Sequence, residues 1–149
     1  MDQDTFPEDL ADALVGVQRL IRRRVRAELP DARLRGAEVE LLRLVAARPG
    51  IRISDAAKEL YLAGNSVSTL VNQLAKDGWL VRETDPDDRR AALLRPTPAA
   101  EARLGDWRRR RAELVRNKVS RLDEADKDAL RAALPALRRL ADTLREEDA

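Results

Sequence analysis

The chain of 149 residues sets 29 Lys and Arg against 27 Asp and Glu, a net charge of +2, and contains no cysteine and no histidine. Disulfides, thiol switches, thiolate or imidazole metal sites and imidazole catalysis are thereby excluded, and neither a metal nor a cofactor is expected. Hydrophobic residues reach 44% while aromatics reach only 3%, an aliphatic balance that suits one domain, 1–149, of packed amphipathic helices.

Met1-Asp2-Gln3-Asp4 lacks the basic start and apolar core of a signal peptide, and no apolar run approaches membrane-spanning length. A cytoplasmic location with no membrane partner is therefore expected. Pro7 and Glu8 open a predicted helix to about Leu29, with Leu10, Leu14, Val17, Ile21 and Val25 on one face and Pro30-Asp31 closing it. A second predicted helix, about Ala37 to Ala47, turns Leu41, Leu42, Val45 and Ala46 inward and stops at the turn signal Pro49-Gly50. Ile51-Arg52-Ile53 reads as a strand fragment. Ser54 is expected to cap a third helix, Asp55 to about Tyr61, with Ala56, Ala57 and Leu60 inward. Leu62-Ala63-Gly64 makes the turn into the next helix, which completes a helix-turn-helix pattern.

In Asn65–Asp77, Val67, Leu70, Val71 and Leu74 recur at the spacing of one buried helical face. Asn65, Thr69, Asn72 and Lys76 project from the other side, with no carboxylate before Asp77. Amides, a hydroxyl and one cation can meet base edges and phosphates, whereas a merely solvated face usually mixes in Glu or Asp. Trp79-Leu80-Val81 then predicts a strand, Thr84-Asp85-Pro86-Asp87-Asp88-Arg89-Arg90 a charged turn, and Ala91–Arg95 a second strand. A recognition helix followed by a basic-tipped hairpin points to a winged helix that reads DNA. Taken without the hairpin, the polar stripe would be as well explained by solvation.

Thr97-Pro98 fits an N-cap followed by proline at the first helical position, opening a helix to about Leu122 that carries Leu104, Trp107, Arg111, Leu114, Val115 and Val119 near one face. Asp123 with Asp126 resembles a capping box for a last helix to about Glu146, which Pro135 should kink. Its stripe is Leu130, Leu134, Leu137, Leu140, Ala141 and Leu144. Stripes this long exceed what the middle segment can cover, so the helices in 7–30 and 97–147 are expected to interlock with their copies in a homodimer. The arginine runs at 19–26 and 108–116 admit two readings, solvated faces or phosphate contact.

Asp85-Pro86-Asp87-Asp88-Arg89-Arg90 resembles the wing signature of the MarR family of bacterial transcription regulators, in which an Asp-x-Arg triplet, here Asp88-Arg89-Arg90, holds the hairpin tip. Pro96-Thr97-Pro98-Ala99-Ala100 resembles the family's Leu-Thr-Pro-x-Gly step into the fifth helix, departing from it at Pro96 and Ala100. Lys76-Asp77-Gly78-Trp79-Leu80 is similar to its step out of the recognition helix. The resemblance implies a mainly α fold with a small β-hairpin wing, a winged helix-turn-helix at 35–96 flanked by N- and C-terminal dimerisation helices. It also implies a homodimer on pseudo-palindromic double-stranded DNA, acting as a repressor rather than an enzyme. Residues of helix 65–77 would enter the major groove and the wing arginine the minor groove.

The candidate DNA-binding residues are therefore Asn65, Ser66, Ser68, Thr69, Asn72, Gln73 and Lys76 on the helix and Asp88, Arg89 and Arg90 on the wing. Asn72 and Gln73 can bond bidentately to adenine, and the Thr69 methyl can meet a thymine methyl. Asp88 is expected to brace Arg90 through paired hydrogen bonds. Arg52 and Lys58 are candidate phosphate contacts, and Trp79 is expected to plug the core under the wing. By the same resemblance, a small aromatic or phenolic effector would enter a pocket lined by Leu10, Leu14, Val17, Leu41, Val45, Trp107 and Arg111. The rival reading keeps the winged helix as a protein-interaction or architectural module without ligand control. The polar stripe argues against it, because interface centres prefer aromatic and apolar anchors.

Overall fold

A computed structural model describes residues 5–29, 34 and 36–146. In chain order these form α1 (Phe6–Glu28), α2 (Gly36–Ala47), β1 (Ile51–Arg52), α3 (Ile53–Leu60), α4 (Gly64–Lys76), β2 (Leu80–Thr84), β3 (Ala92–Pro96), α5 (Pro98–Val119) and α6 (Glu124–Glu146). The fold is mainly helical with a small antiparallel sheet and a hairpin wing. The expected closure of the first helix by Pro30 and Asp31 lies outside the described residues. The chain divides into two compact units, Met1–Arg110 and Arg111–Ala149, with the boundary inside α5.

The first unit is built on one aliphatic core. Leu41, Leu42 and Val45 of α2 meet Ala56 and Ala57 of α3, Val67, Val71 and Leu74 of α4, Leu80 and Leu94 of the sheet, and Ala100 and Leu104 of α5. α2, α4 and α5 contribute residues three or four apart, as the 3.6-residue period requires, and α3 adds the neighbours Ala56 and Ala57. A buried leucine here contributes about 1.5–3 kcal/mol through burial, and truncating one to alanine would cost about 2–5 kcal/mol. Trp79 is half-buried and packs on this core from beneath the wing, as expected.

The strand order is β1-β3-β2, with β3 pairing on both sides. Ile51 and Arg52 lie opposite Leu94 and Leu93, while Leu80 through Thr84 lie opposite Pro96 through Ala92. Pro96 sits at the end of its strand, and the backbone pairing resumes directly after it, where the Thr97 N–H donates to the Trp79 carbonyl at 3.1 Å. The missing proline N–H therefore leaves the wing intact.

Three local expectations need correction. Ser54 does not cap α3: the helix starts at Ile53 with Arg52 in the N-cap position, because β1 pairing ends at Arg52 and the chain passes from strand into helix without a loop. The helix-turn-helix turn is made by Tyr61 and not by a glycine. Tyr61 is left-handed at φ 53°, its N–H donates to Lys58 O at 3.2 Å, and the Leu62 N–H donates to Ala57 O at 3.0 Å. These two bonds are a Schellman closure of α3, and Gly64 is simply the first residue of α4. Finally, α5 stops at Val119 instead of running to Leu122. The Thr97 cap forms as expected, its Oγ1 accepting the Ala100 N–H at 3.2 Å, and Asp123 Oδ1 accepts the Asp126 N–H at 2.8 Å ahead of α6. Pro135 is accommodated inside an unbroken α6.

The long helices at the two ends of the chain keep much of their apolar stripes uncovered. On α1 only Val25 is buried, and Val17 is 58% exposed. On α6 no residue is buried, and Leu144 is 63% exposed. No helix among the described residues is long and apolar enough to cross a membrane.

Candidate nucleic-acid interface

α4 buries Val67, Val71 and Leu74 and leaves Asn65, Ser66, Thr69, Asn72, Gln73 and Lys76 exposed; Ser68 is half-buried. The helix ends in a second Schellman closure: Gly78 is left-handed at φ 81°, its N–H donates to Ala75 O at 3.2 Å, and the Trp79 N–H donates to Leu74 O at 2.8 Å. This turn fixes the angle at which the polar face of α4 stands beside the first wing strand. Three of the polar side chains are already engaged. Thr69 Oγ1 donates to its own helix at Asn65 O, 3.0 Å, which leaves its methyl as the group to offer. Gln73 Nε2 donates to Asp77 Oδ2 at 3.0 Å, and the Arg82 guanidinium of β2 donates to Asn72 Oδ1.

The wing tip, residues 85–91, is a pair of consecutive Asx turns. Asp85 Oδ1 accepts the Asp87 N–H at 2.9 Å, and Asp88 Oδ1 accepts the Arg90 N–H at 3.0 Å. Backbone bonds close the loop, from Asp85 N–H to Ala91 O at 3.1 Å and from Ala91 N–H to Asp88 O at 2.9 Å. An aspartate two residues before a backbone donor is the sequence signal for this turn. Arg89 and Arg90 are exposed at the tip and make no ion pair or side-chain hydrogen bond among the described residues.

The expected brace is therefore corrected in kind. Asp88 holds the Arg90 backbone and not its guanidinium. The carboxylate that receives a guanidinium is Asp85, 5% exposed, whose Oδ2 accepts from Arg52 of β1. The Asp87 N–H first, and then the Arg52 guanidinium and the Asp88 N–H, hold the Asp85 carboxyl below the ordinary carboxylate value against the opposing effect of burial. Arg52 thus holds the wing with one end of its guanidinium while its side chain stays 42% exposed, and Lys58 is exposed as well. Neither the Asp85–Arg52 pair nor the Asn72–Arg82 pair was foreseen. The one signal for the second is strand alternation, which puts Arg82 on the same face of β2 as buried Leu80.

The residues suggested as an effector pocket differ in burial. Leu41 and Val45 are fully buried in the core, and Leu14 and Val17 are exposed on α1. Arg111 is exposed and falls in the second unit. Inward periodicity marks a side chain as buried without distinguishing core from cavity. Trp107 does line a small cleft of about 30 Å³, partly open to solvent, together with Arg22, Arg26, Val39, Glu40 and Arg43. The Arg43 guanidinium lies 5.8 Å from the Trp107 ring centroid, and Glu40 pairs with Arg22 at 3.7 Å and with Arg43 at 3.5 Å.

A sequence profile of the MarR family matches residues 34–91, from ahead of α2 through the wing tip. Over these residues the chain is similar to the MarR family. MarR family proteins are transcription regulators and not enzymes. A protein of Thauera aromatica named "Putative transcriptional regulatory protein for hcr operon" is 30% identical over 99 residues, 66% of this chain and 60% of that protein. The chain thus spans about 60% of this relative's length. The fold matches transcriptional regulator Tm0710 of Thermotoga maritima, with a TM-score of 0.75 at 23% identity over 93% of this chain and 98% of that one. It also matches Streptococcus pneumoniae FabT, solved in complex with DNA, with a TM-score of 0.72 at 18% identity over 92% and 98% of the two chains. At these identities the structural likeness establishes the MarR family fold alone.

Proposed function

We propose that this protein is a sequence-specific DNA-binding transcription regulator of the MarR family. In this reading it is a cytoplasmic repressor that binds a pseudo-palindromic operator as a homodimer. The observation that carries the reading is the pairing of a carboxylate-free polar face, Asn65 to Lys76, with a rigid wing that presents Arg89 and Arg90. Amides and hydroxyls serve base edges in the major groove, and arginines suit the negative potential of a narrow A·T-rich minor groove. The uncovered stripes on α1 and α6 support a second copy as their cover, and two-fold symmetry would present two α4 helices to two half-sites. Capture and sequencing of genomic fragments by the purified chain tests the reading. An inverted repeat should be enriched, and recovery of random fragments would refute sequence-specific regulation.

We further propose that a small aromatic or phenolic acid is the releasing ligand and that it enters the Trp107 cleft. Arg22, Arg26 and Arg43 outweigh Glu40 there, so the cleft favours an anion, and Trp107 offers a ring to stack on. Titration with benzoate and hydroxybenzoates, read by release of bound operator, tests this. Release that persists unchanged in Arg43→Ala would place the ligand elsewhere.

A further inference from the structure

A bidentate contact from Asn72 to adenine needs both its amide oxygen and its amide nitrogen. The Arg82 contact changes what Asn72 can offer. A guanidinium carries five N–H donors and no acceptor, so the group facing it must be the Asn72 oxygen. That fixes the orientation of the amide: one of the two lone pairs of its oxygen is held by Arg82, and its NH₂ donors are turned away from the guanidinium. Both side chains are exposed, Asn72 among the outward residues of α4 and Arg82 on the wing strand beside it. The pair therefore presents mainly donors, from the amide and from the unused guanidinium N–H groups, against one remaining lone pair on the Asn72 oxygen beside the cation.

We infer that Asn72 and Arg82 act together as a guanine reader. Guanine shows two acceptors in the major groove, N7 and O6, whereas adenine shows one acceptor and one donor, and cytosine shows a donor. A donor-rich pair meets both guanine groups, offers the adenine N6–H₂ only one lone pair that lies beside the guanidinium, and sets most of its donors against the cytosine N4–H₂. Arg82 thus determines specificity both directly and by turning the amide of Asn72. This inference rests on the DNA-binding reading above and deepens it. A phosphate-binding role for Arg82 would raise affinity for every sequence and choose none.

The test is selection from a randomised operator library by the full-length wild type, Asn72→Ala, Arg82→Ala and Arg82→Lys, with melting curves confirming that each variant folds. Asn72→Ala should erase preference at one base pair per half-site, and the wild type should select guanine there by on the order of tenfold over adenine. In Arg82→Ala the freed amide oxygen should turn that same position toward adenine, whereas Arg82→Lys, which keeps a donor, should retain guanine. An Arg82→Ala protein that keeps the wild-type preference while binding every sequence more weakly would overturn the inference and leave the regulator reading standing. A wild type that selects no sequence would overturn both.

Discussion

Asp85 and Arg52, thirty-three residues apart in the chain, form an ion pair that ties the base of the wing to β1, with the Asp85 side chain 6% and the Arg52 side chain 42% exposed. The pair matters because the tip that carries Arg89 and Arg90 hangs on Asp85 through the Asp87 N–H and the Ala91 carbonyl as well. Removing the carboxylate would leave a guanidinium and a backbone donor without their acceptor.

The Asp85 carboxyl is lowered in the folded state, so its contribution to stability is complete above the unfolded carboxylate value of about 3.9 and is lost as pH falls through the lower folded value. Asp85→Asn should accordingly lower Tm at neutral pH, and the gap to wild type should narrow as the buffer is taken into that acid range. Thermal melts of both proteins between neutral pH and strong acid check this. A gap of constant size across that range would show that Asp85 acts through shape and not through its charge.

Gly78 closes α4 in a left-handed conformation at φ 81°, with open space where a Cβ would stand. Gly78→Ala should therefore cost about 1–2 kcal/mol from backbone strain alone, with no clash added. Denaturant unfolding measures it; an unchanged midpoint would mean that the turn relaxes freely. Gly16 also has open space for a Cβ but has no positive φ, so Gly16→Ala in α1 is the control and should be neutral or slightly stabilising.

Helix and wing should divide the labour of recognition. Thr69→Ser keeps the hydroxyl bonded to Asn65 O but deletes the methyl, and it should relax a thymine preference by about 1 kcal/mol at one position per half-site. Arg90→Ala should instead weaken binding to most sequences and reduce the salt slope by about one ion. Binding to an operator library at two salt concentrations separates the two. If Arg90→Ala changed one base pair while Thr69→Ser changed none, the two surfaces would be assigned the wrong way round.

The exposed leucines of α6 give the dimer proposal its sharpest test. Leu130→Glu with Leu134→Glu places charge on a stripe that the chain leaves uncovered, at 49% and 47% exposure. Little is buried by these residues within one chain, so the variant should fold as a monomer and bind a two-half-site operator far more weakly than wild type. Sedimentation alongside gel shift reads both outcomes. A variant that stays dimeric would move the interface off this stripe.

The sequence by itself determined the elements and their inward faces. Val67, Val71 and Leu74 at helical spacing, the Thr97 cap before Pro98 and the Gly78 turn are all interactions among near neighbours, and near neighbours in sequence are near neighbours in any fold that keeps the helix. The outward face of α4 was legible for the same reason. Tertiary structure decided the partners of the polar groups. Arg82 reaches Asn72 only because β2 docks beside α4, and Arg52 reaches Asp85 only because β3 lies between β1 and β2 and brings the wing base alongside β1. Even the helix-turn-helix turn fell to Tyr61, a residue that local propensity disfavours there, because the core packing of α3 against α4 fixes where the chain must reverse. Periodicity likewise turned Leu41 and Val45 inward but could not say what lay inside. Docked helices filled that space with core, and the cleft opened beside Trp107 instead.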